Sequence, residues 1–440
     1  QPSIISIPIS YHDASPILQA LKGPLVPKGW QGALPFSYHL GANGEDTGVK
    51  IHLISDQDYK VRTIWDVIGK IKGTDSTEDW VVVGNHRDAW VYGAVDPNSG
   101  TAAMLEAVHG LGALIKQGWK PKRTMVIGSW DAEEEGLIGS TEWVEQHAKA
   151  LEHAVAYFNV DVAVAGSDFG AEAVPSLKQF VREVTRQVPS PKGSSVYDQW
   201  KLTALGEARD ASTGHAPRTN AAAEDIPVGD LGSGSDFTPF LQHVGVPSTD
   251  IGSHGDYGVY HSVFDNYAWY VQNADPSFVY LQEMARVLGL EAIRMADTDV
   301  LPYDYVTYAK EIASYLDTAK HKPAARGFDF GPAQAATDRL LKAAEAAKTL
   351  QAMPGVNPAR LNATLRATEA ALVIEAGLPN RPWYKHAIYA PGEYTGYAAV
   401  VIPGVNEALD MKNANLAAQQ LLVLTEVINR AAQVLEGAQK

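Results

Sequence analysis

Asn85 to Gly100 reads NHRDAWVYGAVDPNSG and places His86, Arg87, Asp88 and Asp96 directly after the apolar run WVVVG at 80–84. An ordinary turn would be covered with Ser, Asn and Gly, so charge spent where a strand leaves the core points to metal binding or catalysis. Asp88, two residues after His86, is placed to accept the second imidazole N–H and fix its tautomer. Asp96 precedes Pro97, and a cis Asp-Pro bond would turn its carboxylate inward. A second segment, SWDAEEEG at 129–136, supplies Glu133, Glu134 and Glu135. Three adjacent carboxylates repel one another unless a cation or solvent separates them. A solvated turn opening a helix accounts for them equally well. Asp161, after AYFNV, and His261, within GVYHSVFDNY, each fit a cap, a turn or a packed core histidine when taken alone.

There are no cysteines, so thiolate nucleophiles, disulfides and Cys-type zinc sites are excluded and a metal must be held by His, Asp and Glu. A centre with two ions roughly 3.5–4 Å apart needs about five or six such donors, one of them a bridging carboxylate. The net charge of −15 argues against a nucleic-acid footprint and against attraction to anionic membranes.

The elements that must position these side chains alternate from VRTIWDVIGKIKG, at residue 61, onward: WVVVG as a buried strand, SGTAAMLEAVHGLGALIKQG as a helix, then RTMVIGSW, STEWVEQHAKAL and AVAYFNVD as strand, helix and strand. This predicts an α/β layer with a largely parallel sheet, in which loops at the carboxyl ends of strands carry function. From about 299 the pattern turns helical. Leu340, Ala343, Ala347 and Leu350 share one face, as do Leu424, Val427, Ala431 and Leu435, and internal core is the better reading of these stripes than an oligomer interface. No stretch of about 18 apolar residues occurs, and the opening QPSIISIPIS lacks a basic n-region and a long apolar h-region, so no signal or transmembrane segment is read. The triplet Asn362-Ala363-Thr364 is too common by chance to decide secretion.

Taken together, HRD-W-G-DP-SG, WDAEE-G--GSTEW, N-D, GSGSDF and YHS, followed by LPYDY--YA, RPWYKHAIYAP and PG-NEAL, resemble the glutamate carboxypeptidase II and transferrin receptor family of co-catalytic zinc peptidases across nearly the whole chain. The resemblance implies a zinc-exopeptidase-like α/β fold, a central mixed sheet flanked by helices. Its division would be the closing part of a protease-associated domain at 1–60, a catalytic domain at 61–298 and a helical, dimerisation-like domain at 299–440. It implies two Zn2+ per chain, one on His86 and Asp161, the other on Glu134 and His261, with Asp96 bridging. Glu133 would be the general base and Tyr260 the hydroxyl facing the oxyanion, with Asp88 behind His86. Gly234, Ser235 and Tyr397 would line the substrate pocket. Glu135 stays outside the ligand set, and Glu142 and Glu145 match positions that help bind a structural Ca2+ in a relative, although an exposed helix face explains them as well.

Two departures bear on specificity. Gly396 stands where glutamate-selective members carry a lysine before Tyr397, and no Arg or Lys lies between Val246 and His261 where the family has an arginine patch. Glutamate preference is therefore not expected. The reading is a dizinc exopeptidase acting on small peptides, carboxypeptidase ahead of aminopeptidase. A non-enzymatic, receptor-like binding protein is the other class, against which the complete ligand set argues. A homodimer through the helical domain and an extracellular or periplasmic setting are further implications of the resemblance.

Overall fold

The computed structural model of the chain describes residues 5, 7, 9–32, 34–41, 50–56, 58, 60–75, 78–210 and 226–439. They fall into two units, 1–63 and 64–440. In the first, helix α1 (Tyr11–Ala20) is capped by Ser10, whose hydroxyl accepts the Asp13 N–H, and Leu25 pairs with His39 in an isolated antiparallel bridge.

In the second unit, a six-stranded sheet is built from β1 (Val67–Ile71), β2 (Trp80–His86), β3 (Thr124–Trp130), β4 (Ala154–Asn159), β5 (Asp168–Ala173) and β6 (Ser248–His254), with β-branched and aromatic residues concentrated in the central β2, β3 and β4. The order is β1-β3-β2-β4-β6-β5. β3, β2, β4 and β6 are parallel, and β1 and β5 close the two edges in antiparallel pairing, so the sheet is mixed as expected. Val81, Val82, Val83, Met125, Val126, Val155 and Phe158 are buried in its centre. Each such side chain contributes on the order of 1.5–3 kcal/mol on leaving water.

Helices α2 (Asn98–Lys116), α3 (Ile138–Leu151), α4 (Pro175–Thr185), α5 (Val196–Asp210), the short α6 (Tyr267–Trp269) and α7 (Val279–Asp297) flank the sheet or connect its strands, and α2 and α7 pack on each other and on β2. The remainder is helical apart from one hairpin: α8 (Tyr305–Lys320), α9 (Gly331–Gln351), α10 (Pro358–Ala370), β7 (Tyr389–Pro391) with β8 (Ala399–Val401), α11 (Pro403–Asp410) and α12 (Ala414–Glu436). Asp304, Asn357 and Asn413 cap α8, α10 and α12 by accepting first-turn N–H groups. The alanine stripes lie between α9 and α12: Leu340, Ala343, Ala347, Leu424, Val427, Ala431 and Leu435 are all buried within the chain. Small residues there allow close helix approach.

Asn362 is buried too, accepting the Leu301 N–H and donating to the Asp299 carbonyl, so the folded chain does not offer it as a glycan acceptor. Among the described residues no helix is long and apolar enough to cross a membrane.

Candidate metal centre

The parallel strands deliver the candidate donors at one end of the sheet. His86 is the last residue of β2, Glu133 and Glu134 follow β3, Asp161 follows β4, and His261 lies in the turn after β6. Asp96 comes two residues before α2, and its bond to Pro97 is cis. Gly100, in the first turn of α2, lets that helix approach the β4 exit, since a Cβ there would collide with the Val160 and Asp161 carbonyls.

Six side chains converge. His86 Nε2 lies 2.9 Å from Asp161 Oδ1, 3.5 Å from Asp96 Oδ1 and 3.8 Å from Glu133 Oε2. His261 Nε2 lies 3.1 Å from Asp96 Oδ2 and 3.2 Å from Glu134 Oε2. Asp96 thus presents one oxygen to each histidine. Two groups of donors result, His86 with Glu133 and Asp161, and Asp96 with Glu134 and His261, each with its donor atoms within 4.8 Å of one another. Spacings of 2.9–3.8 Å suit the edges of a tetrahedron whose corners stand about 2 Å from a central ion.

The electrostatics point the same way. Burial pushes the Glu133 carboxyl up to about 9 and Glu134 up to about 8, with neighbouring acids adding to both. Asp96 is raised by burial and by Asp161. For Asp161 burial works upward, but His86 outweighs it and holds the carboxyl below its usual range. Burial likewise opposes a charged His86, yet Asp161, Asp88 and Asp96 overcome it and keep the ring far above its ordinary pKa. So many carboxylates around the buried His86 and its neighbour His261 are poorly matched by protons alone. Divalent cations would leave every acid ionised and both rings neutral, the states in which they act as ligands. The donor set therefore fits zinc.

Asp88 lies behind this group. Its oxygens accept the backbone N–H groups of Glu133, at 3.1 Å, and Glu134, at 3.0 Å. His86 Nδ1 is 3.1 Å from the Asp88 carbonyl oxygen and 3.5 Å from its carboxylate, so the main chain of Asp88 is the nearer partner of the ring. Sequence reasoning gave no role to three further supports. Asp265 accepts N–H groups from Val95 and Asp96. Tyr257 donates to Asp265. Asn159, fully buried, donates to Ser235 Oγ at 2.9 Å and to Asp250 Oδ1 at 3.0 Å while accepting from Tyr157. A carboxylate four residues after a candidate ligand was the one available signal for Asp265, and many exposed acids would satisfy it.

A cavity of about 640 Å³ opens over the centre, lined by Glu133, Glu134, Ser235, Tyr260, Tyr384 and Tyr397 among others. Tyr260 stacks on His261 with ring centroids 3.6 Å apart, and burial followed by Tyr397 raises its hydroxyl above the ordinary tyrosine value. Gly234 has φ +100°, and a Cβ on it would meet the Tyr397 ring at 2.7 Å. Among the described residues no lysine or arginine lines the cavity. Glu135 is exposed and outside it. Glu142 and Glu145 are exposed on α3, Glu145 accepting from Trp383 Nε1 at 2.8 Å, and neither belongs to a group of three donors among the described residues.

Fold and donors define an α/β domain of the metallopeptidase type followed by a helical domain, and the comparisons agree. Residues 66–279 match Peptidase family M28 and residues 328–436 match the transferrin receptor-like dimerisation domain. The chain belongs to the glutamate carboxypeptidase II and transferrin receptor-like family. It is 37% identical over 455 residues to a probable glutamate carboxypeptidase LAMP1 of Arabidopsis thaliana, covering 99% of this chain and 62% of that protein. To a probable glutamate carboxypeptidase of Arthroderma benhamiae it is 39% identical, covering 98% and 59%. To aminopeptidase NAALADL1 of Rattus norvegicus it is 32% identical, covering 99% and 61%. The chain spans about three fifths of the length of these curated relatives.

Proposed function

We propose that the chain is the catalytic part of a dizinc metallo-exopeptidase that hydrolyses small peptides, with carboxypeptidase action favoured. The observation that carries this reading is Asp96, one oxygen toward His86 and the other toward His261. His86 and Asp161 would hold one zinc, Glu134 and His261 the other, and Asp96 would be shared. Bound zinc supplies Lewis acidity toward water and toward the scissile carbonyl.

The chain's own residues do the rest. Glu133 lines the cavity beside His86 and takes the proton of the attacking water on its carboxylate, then gives it to the leaving amine. Tyr260, whose raised pKa keeps its hydroxyl protonated, donates to the developing oxyanion. Gly234, Ser235 and Tyr397 form the wall against which the substrate lies, Tyr397 facing its α-carboxylate. With Gly396 before Tyr397 and no cation on the cavity wall among the described residues, nothing there selects a glutamate side chain. The names of two relatives support carboxypeptidase action.

One observation favours an aminopeptidase as the second reading. Glu172 and Asp250 also line the cavity, and acids suit a free α-amine better than a terminal carboxylate. Assay of N-blocked and C-blocked dipeptides separates the two, since cleavage confined to the N-blocked set means carboxypeptidase. Two zinc ions per chain by elemental analysis, with activity lost to a chelator and restored by Zn2+, tests the metal reading; a protein that holds no metal overturns it.

The division at 60 and 298, a protease-associated identity for 1–60, a homodimer through the helical domain and an extracellular or periplasmic location complete the proposal. The match of 328–436 to a dimerisation domain supports the dimer.

A further inference from the structure

Asp265 sits four residues after His261, only 2% exposed, in a turn that reaches back to the loop carrying Asp96. Its Oδ1 accepts the Val95 N–H at 2.9 Å, its Oδ2 the Asp96 N–H at 3.1 Å, and its main-chain oxygen the Ala94 N–H at 3.2 Å. Three consecutive backbone donors on the approach to Asp96 therefore end on one residue. The same Oδ2 accepts the Tyr257 hydroxyl at 2.6 Å. Tyr257 meets Tyr260 edge-on with centroids 5.8 Å apart, Tyr260 stacks on His261, and His261 Nε2 returns to Asp96 Oδ2 at 3.1 Å. The contacts close into a ring.

One member of this ring sits in a strained backbone conformation. His261 has φ +53°, a left-handed conformation that side chains other than glycine adopt at a cost. The turn is kept by Ser262 N–H to the Val259 carbonyl, at 3.2 Å, and Asp265 N–H to the Ser262 carbonyl, at 3.1 Å. Asp265 itself spends its two carboxylate oxygens on three donors, so its work is on other residues.

We propose that Asp265 is a positioning residue that sets the Asp96 carboxylate against His261, and so sets how tightly the chain holds a divalent ion between them. The inference rests on the metal reading above. Outer partners that orient ligands typically change metal affinity by roughly ten- to a hundredfold. Asparagine is a sharp probe, because its NH2 would face a backbone N–H or the tyrosine hydroxyl in place of an acceptor.

The test is a Co2+ titration of metal-free wild type, Asp265→Asn and Tyr257→Phe, followed by the visible d–d spectrum, with circular dichroism at saturating Co2+ to confirm the fold. The expected result is two ions on wild type and, in Asp265→Asn, one of the two affinities weakened roughly tenfold or more together with a changed spectrum. Tyr257→Phe, which loses one hydroxyl, should shift the same affinity by a smaller factor, and it decides the matter if Asp265→Asn does not fold. A residue with a merely structural role would lower thermal stability and leave the spectrum and both affinities unchanged. That outcome, in a folded variant, overturns the proposal. Absence of Co2+ binding by wild type instead overturns the metal reading beneath it.

Discussion

Asp88 holds Glu133 by its main chain: Oδ1 accepts the Glu133 N–H at 3.1 Å while Oδ2 takes the next N–H along the turn. The carboxylate at the exit of β2 thereby orients the acidic turn at the exit of β3. Asp88→Ala would strand both donors, costing about 1–3 kcal/mol in urea denaturation. Turnover should fall roughly 10–100-fold as the turn loses its register. Unchanged stability and turnover would remove Asp88 from this role.

Glu133→Gln keeps the size and hydrogen-bonding reach of the side chain and removes its basicity. Two metal ions should remain bound, with kcat reduced by about 10²–10⁴. Elemental analysis alongside kinetics checks both halves. Loss of one ion would mean that Glu133 is a ligand and that its role and that of Glu134 are exchanged.

Gly234→Ala places a methyl group 2.7 Å from the Tyr397 ring at a φ of +100°. Tyr397 must move, and KM should rise on the order of tenfold while the metal content stays the same. Equal KM values for the two proteins would show that Tyr397 does not position substrate.

Glu291, fully buried on α7 with both oxygens unpartnered, has its carboxyl pushed up to about 8 by burial and by Asp250. The folded state keeps a proton there that the unfolded state releases near the ordinary glutamate value. Its contribution is present in full below about 4.5 and is lost as pH rises through about 8. Glu291→Gln cannot ionise, so its stability should fall less across that window and exceed that of wild type above pH 8 by on the order of 2 kcal/mol. Parallel stability curves for the two proteins between pH 5 and 9 would contradict this.

The donors were legible because they stand beside strong local signals. His86 stands three residues after the Val81–Val83 run, and the acidic turn follows the apolar MVIGSW segment, so parallel-strand exits were the natural place for both. Asp161 also follows a strand but as a single acid fits a cap or turn, and His261 has no strand signal beside it, so the resemblance picked both from equally plausible caps and core residues. The roles of Asp265, Tyr257 and Asn159 were not legible, although Asn159 is the first residue of the N-D motif and Asp265 follows His261 by four. Their partners lie 169, 8 and 76 residues away in the chain, and nothing in their residue types separates a buried clamp from an exposed polar side chain.

By itself the sequence determined which chemistry was possible: a chain without cysteine, rich in acids, with imidazole and carboxylate where strands leave a buried sheet. Local patterning also determined β2, β3 and β4 and the helices α2, α3, α9 and α12, since hydrophobic periodicity acts over a few residues. Only the tertiary structure decided that Asp96 faces both histidines, that Asp88 serves the glutamates through their backbone, and that the alanine stripes are consumed between α9 and α12. Those relations depend on the order of strands across the sheet and on the path of the loops between them, which long-range packing selects and no short window of residues encodes.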